Sequence, residues 1–187
     1  MRGRARLAVA GAMVTAAAAS AAVAIAGGGG GAPAVHEQLS GYQEDPAAIS
    51  TTGTGTFDAV VDAKDDAVTY RLSYSSLAGD VLQAHIHLGT RHQSGGIAVF
   101  LCSNLGNGPA GTQACPPAPA TVTGTIRPAD VLELKAQGLP AAGFAELLAA
   151  ARAGATYVNV HSSLFPTGEI RAQLRPRGPV WEDEEDD

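Results

Sequence analysis

ATYVNVHSSLFPTGEIRAQLRP (155–176) is the stretch whose reading decides the fold. Val158 and Val160 alternate with Tyr157, Asn159 and His161; beyond SSLFPTG, Ile170, Ala172 and Leu174 alternate with Glu169, Arg171 and Gln173. A period of two belongs to strands, whose successive side chains point to opposite faces. Folded into a hairpin, one register puts His161 opposite Glu169, Asn159 opposite Arg171 and Tyr157 opposite Gln173. Polar then meets polar and apolar meets apolar throughout, which a one-residue slip would destroy.

Working outward, the same pattern recurs. AVTYRLSYSSL (67–77) sets Val68, Tyr70, Leu72 and Tyr74 on one face, and KDD (64–66) is a turn joining it to TGTGTFDAVVDA (52–63). These two segments are expected to pair as a hairpin. VHEQLSG (35–41), VLQAHIHLG (81–89), the nearly continuous apolar run IAVFLC (97–102) and ATVTGTIRP (120–128) read as further strands. Only 128–154 departs. There Gly138–Pro140 splits two helical pieces, the second carrying Phe144, Leu147, Leu148 and Ala151 at helical spacing. The expectation is a mainly β, antiparallel two-sheet sandwich with one or two short helices between Pro128 and Gly154.

The chain of 187 residues suits one domain. Arg2, Arg4 and Arg6 precede twenty uncharged residues, Leu7–Ala26, ending in Ala24-Ile25-Ala26. This reads as a secretory signal peptide (1–26) cut after Ala26, with Ala32-Pro33-Ala34 as a second site and an uncleaved membrane anchor as the alternative. A glycine-rich spacer (27–34), a folded domain (35–176) and an acidic tail (177–187) expected to be disordered would follow. The net charge of −6 and the lack of a basic patch exclude nucleic acid as a partner. Cys102 and Cys115 are the only cysteines, and in an exported chain they are expected to form a disulfide.

AHIHLG (84–89) carries the chemistry. His85 and His87 lie two apart and share a strand face, the spacing with which a sheet presents a two-imidazole chelate. His161 ends its own strand with Glu169 as the expected partner. If the strands adjoin, His85, His87 and His161 could hold zinc or copper. The plainer reading is a hydrogen-bonded polar sheet surface of His85, His87, Asn159, His161, Glu169 and Arg171, architectural or ligand-contacting, with no cofactor. Both require Ile86, Val158, Val160 and Ile170 to point inward together. His36 and His92 are expected to be solvated. Copper–zinc superoxide dismutase shares the His-x-His strand and disulfide, but its two-metal site takes six histidines and the chain has five. No Gly-x-Ser-x-Gly supports a serine nucleophile beside His161, and Glu44 and Asp45 read as part of a turn before Pro46.

LSGYQEDP (39–46), GTGT (53–56), AHIHLG, the leucine-rich helix ending in AG, YVNVH (157–161) and GEIRAQL (168–174) occur in the order found in the CHRD domain, the chordin-type module. The chain resembles the single-domain bacterial secreted members over about residues 35–175. It departs from their pattern at Ala172 and Leu88 and in the loop TRHQSGG. The resemblance implies an immunoglobulin-like or related Greek-key β-sandwich and a non-enzymatic binding or envelope module. Its partner would be an extracellular protein or envelope component that the sequence does not name, with membrane contact only through an uncleaved N-terminus. The alternative is an exported zinc- or copper-binding protein using the three histidines, with a metal-dependent reaction as its furthest extension.

Overall fold

A computed structural model describes residues 34–176, apart from 63 and 65. The expected signal peptide, most of the spacer and the tail lie outside the described residues. Among the described residues there are eight strands: β1 (Ala34–Ser40), β2 (Thr54–Val61), β3 (Val68–Ser75), β4 (Val81–Leu88), β5 (Gly96–Ser103), β6 (Ala120–Ile126), β7 (Thr156–Ser162) and β8 (Ile170–Gln173). One α-helix, α1 (Phe144–Arg152), precedes β7.

All strand pairings are antiparallel, in the order β5-β4-β7-β8-β1-β2-β3-β6. The β2–β3 hairpin forms, and β7 and β8 adopt the register read from the sequence: Tyr157 opposite Gln173, Val158 opposite Ala172, Asn159 opposite Arg171, Val160 opposite Ile170. The mainly β, antiparallel architecture therefore stands. Its layers, however, are walls of one curled sheet. β1 lies between β8 and β2 and joins what would otherwise be two halves. The two edge strands then approach across a seam. The Tyr70 hydroxyl on β3 donates to the Leu101 carbonyl on β5 at 3.2 Å. The Gln113 amide nitrogen lies 3.1 Å from that carbonyl and 3.2 Å from the Thr123 carbonyl on β6. Alternation specifies strands and neighbouring pairs; whether distant edges meet is set by the accumulated twist.

Leu39, Phe57, Leu72, Ile86, Leu101, Val122, Val158, Val160 and Ile170 fill the interior. The four apolar residues on which the sequence argument rested all point into it. One end is covered by α1, which buries Phe144, Leu147 and Leu148. The first helical piece expected in 128–137 is instead two single 3-10 turns, Pro128–Asp130 and Lys135–Gln137. The backbone between them is drawn into extended contacts: the Leu132 amide donates to the Ala98 carbonyl on β5, and Leu134 bridges Leu139. Cys102 and Cys115 form the expected disulfide, tying the 104–114 loop to β5.

Candidate functional site

Strands β4 and β7 are neighbours, with His85 beside Asn159 and His87 beside Tyr157. The chain's parity therefore puts His85, His87, Tyr157, Asn159 and His161 on one side, and Arg171 and Gln173 of β8 continue the row. That much agrees with the sequence reading. The side is not a solvent-facing surface, however, which corrects the expectation of an exposed polar face. Every residue of β7 and β8 is buried on both faces.

The cover is the loop after β4. Arg171 donates to the Thr90 and Gln93 carbonyls, both at 3.1 Å, and the Gly95 amide donates to the Tyr157 hydroxyl at 3.1 Å. Gln173 donates to the Gly89 carbonyl at 2.9 Å. Polar side chains that would ordinarily face water thus bind the backbone of TRHQSGG and hold it down. Phe100 adds an edge-on wall to His85, its ring centroid 4.5 Å away, and Tyr157 stacks on His87 at 4.7 Å with the Arg171 guanidinium 3.5 Å from the Tyr157 ring centre.

Beneath this cover three imidazoles converge. One nitrogen from each of His85, His87 and His161 lies within 4.8 Å of the others. His85 Nδ1 is 3.2 Å from His161 Nε2, and the Asn159 side-chain amide, whose NH2 can donate to it, lies 3.0 Å from the same His161 nitrogen. His87 Nδ1 lies 2.9 Å from the Gly95 carbonyl and His161 Nδ1 lies 3.1 Å from the Pro166 carbonyl. Carbonyls only accept, so Nδ1 donates in both rings and Nε2 carries the lone pair, which at His161 accepts from His85 Nδ1–H. A backbone carbonyl that fixes the tautomer in this way is the usual support of a metal-ligating histidine. The Nε2 atoms of His85 and His87 are buried and have no hydrogen-bond partner among the described residues.

Burial also keeps the rings uncharged. It drives His85 down to about 2 and His161 to about 4, and it lowers His87. Mutual repulsion among the imidazoles adds to this at His85 and His161. Neutral imidazole is the form that binds metal.

Two expected partnerships do not form. Glu169 does not meet His161: its Oε1 accepts from the Thr51 hydroxyl at 2.6 Å and the Ala78 amide at 2.7 Å. β8 begins only at Ile170, so the hairpin register no longer constrains the preceding side chain. Arg171 stands opposite Asn159 in register but spends its guanidinium on the covering loop. His36 is exposed and pairs with Asp58, and His92 is exposed in the loop, both as expected. Sequence reasoning left out Tyr157, Phe100 and Gly95 as site residues, and it read Glu44 as part of a turn only. That carboxyl is buried, lies against Gly168 and is pushed up to about 7 by loss of solvent, with Arg171 partly opposing the shift. Only the aromatic at 157, in phase with the histidines, gave a signal that could have been read.

No curated protein and no solved structure matches this sequence. The model of the CHRD domain matches residues 35–174, and the chain belongs to that family.

Proposed function

We propose that this chain is an exported CHRD domain that binds one zinc or copper ion through His85, His87 and His161. One observation carries the reading: the buried Nε2 atoms of His85 and His87 are unpartnered beside a third imidazole, and one nitrogen of each of the three rings lies within 4.8 Å of the others. Leaving a buried nitrogen unsatisfied costs about 1–3 kcal/mol, and the cluster holds two. A metal ion takes up the lone pairs and offsets that cost. Three protein nitrogens would leave a coordination position open to a water or a small ligand. The reading assigns no reaction; the domain acts as a binding module whose ligand is the ion. The disulfide and the family support a location outside the cytoplasm, in keeping with the N-terminal segment.

The test is elemental analysis of protein stripped with chelator, then loaded with zinc or copper and desalted. One equivalent should be retained by the native protein and none by the His85→Ala, His87→Ala double variant. Retention that survives the double substitution, or no retention by the folded native protein, would sink the reading.

A further inference from the structure

A polar pocket of about 50 Å³ lies where the loop after β4 meets β8 and the 3-10 turn Gly41–Gln43. Tyr42, Gln43, Arg91, His92, Arg171 and Gln173 line it. None of the three clustered imidazoles is among them, so the pocket is a separate feature.

Its floor is made of buried side chains. Gln173 is 6% exposed, and its amide nitrogen is taken up by the Gly89, Gly154 and Thr156 carbonyls at 2.9, 2.7 and 2.8 Å. Three acceptors around one end of the amide fix that end as nitrogen. The other end, Oε1, is buried and has no hydrogen-bond partner among the described residues. A bare acceptor on a residue that lines a pocket calls for a donor from whatever fills it.

The rim has the opposite need. Arg91 is exposed and makes no hydrogen bond or ion pair with another described residue, so its guanidinium offers donors without acceptors. Tyr42 is 73% exposed, more than any other large apolar side chain among the described residues. The turn that carries it is anchored: Gln43 donates to the Gln38 carbonyl at 2.8 Å and the Ile49 amide to the Gly41 carbonyl at 2.7 Å. An aromatic ring on a fixed support thus stands beside an unused donor and an unused acceptor.

A hydroxyl answers both needs, because it donates and accepts. A carboxylate or phosphate would satisfy Arg91 but bring no proton to Gln173, and the acids Glu44 and Asp45 follow Gln43 directly. An ammonium group would satisfy Gln173 but face two arginines. The pocket has room for about three or four water-sized groups. That is far below the roughly 300–1,000 Å³ of sites that engulf a whole small molecule. It suits one edge of a ligand whose remainder lies outside, with an apolar C–H face against the Tyr42 ring.

We propose that this pocket binds a neutral glycan, one hexose unit of a longer chain, through paired hydroxyls between Gln173 Oε1 and Arg91 and through the ring face on Tyr42.

Heteronuclear NMR of the full chain tests this, in chelator so that no metal takes part. Maltohexaose, cellohexaose and mannohexaose are titrated separately to millimolar concentration. At least one should move the Gln173 side-chain amide together with the backbone amides of Tyr42, Arg91 and His92. Tyr42→Ala and Arg91→Ala alter exposed side chains, and each should weaken that binding by about tenfold. Leu164→Ala, exposed elsewhere, should leave it unchanged. Circular dichroism checks that each variant is folded. The proposal is overturned if none of the three sugars shifts these resonances, or if either folded pocket variant binds as tightly as the native chain. Tighter binding of oligogalacturonate than of every neutral chain overturns it as well.

Discussion

Metal-free protein should become less stable as the pH falls from 6.5 to 4.5, and the slope follows from four side chains. His85 and His161 have folded values of about 2 and about 4 against an ordinary 6.5. As the pH drops below 6.5 the unfolded chain takes up both protons while the folded protein refuses them. Each histidine therefore withdraws about 1.4 kcal/mol per pH unit, or about 5 kcal/mol for the pair over the interval. His87 shifts the same way and adds to the loss. Glu44 acts in the opposite sense. Its folded value of about 7 lies above the ordinary 4.5, so the folded state binds that proton first and regains about 1.4 kcal/mol per unit on the way down. The net loss is about 3 kcal/mol before His87 is counted. Glu44→Gln removes the opposing contribution and should steepen the slope from about 1.4 to about 2.7 kcal/mol per pH unit. Urea unfolding followed by circular dichroism, in chelator and at several pH values, measures it. A flat or inverted dependence in Glu44→Gln would refute the claim that the imidazoles are buried uncharged together.

Metal should reverse part of that loss. Free zinc or copper at a hundred times its dissociation constant should raise stability by about 2.7 kcal/mol at neutral pH, and His87→Ala should abolish the gain, as read from unfolding curves with and without the ion. Glu169 is fully buried, and its Oε1 joins Thr51 and Ala78 to the start of β8. Glu169→Ala should therefore cost about 3–5 kcal/mol in the same assay, far more than a surface substitution. Gly168 has a φ of +137°, and a Cβ there would meet both Glu44 carboxylate oxygens at 2.6 Å. Gly168→Ala should cost about 1–3 kcal/mol, and adding Glu44→Ala should relieve the collision but leave the backbone strain. Full recovery in the double variant would show that the backbone conformation carries no cost.

The sequence revealed strand positions and side-chain parity because both are local. Tyr157, Asn159 and His161 share a phase that no tertiary contact is needed to set, and the opposed polar residues of 157–173 admitted one register. The meeting of β5 with β6 could not be read, since it depends on twist accumulated over eight strands. The lost helix in 128–137 was overridden by hydrogen bonds from Leu132 and to Gln137 that tie it to β5, and by a short bridge, against a weak local propensity. The His161–Glu169 pair failed for a related reason. Register governs a side chain only while both backbones remain in the ladder, and β8 starts one residue too late.

The same limit explains why the histidines looked like an ordinary surface. Alternation assigns His85 and His87 to a side of the sheet, but it cannot say whether that side will be wet. In a strand with one face in water, unpaired imidazole nitrogens are hydrated at no cost and carry no functional meaning. Here Arg171, Gln173 and Tyr157 anchor 89–95 across the strand and remove the water. Removal of water makes protonation unfavourable and leaves the lone pairs of His85 and His87 without a partner. The three histidines of the proposed site were therefore legible in AHIH and YVNVH, whereas the reason to propose them as ligands lies in the loop that covers them.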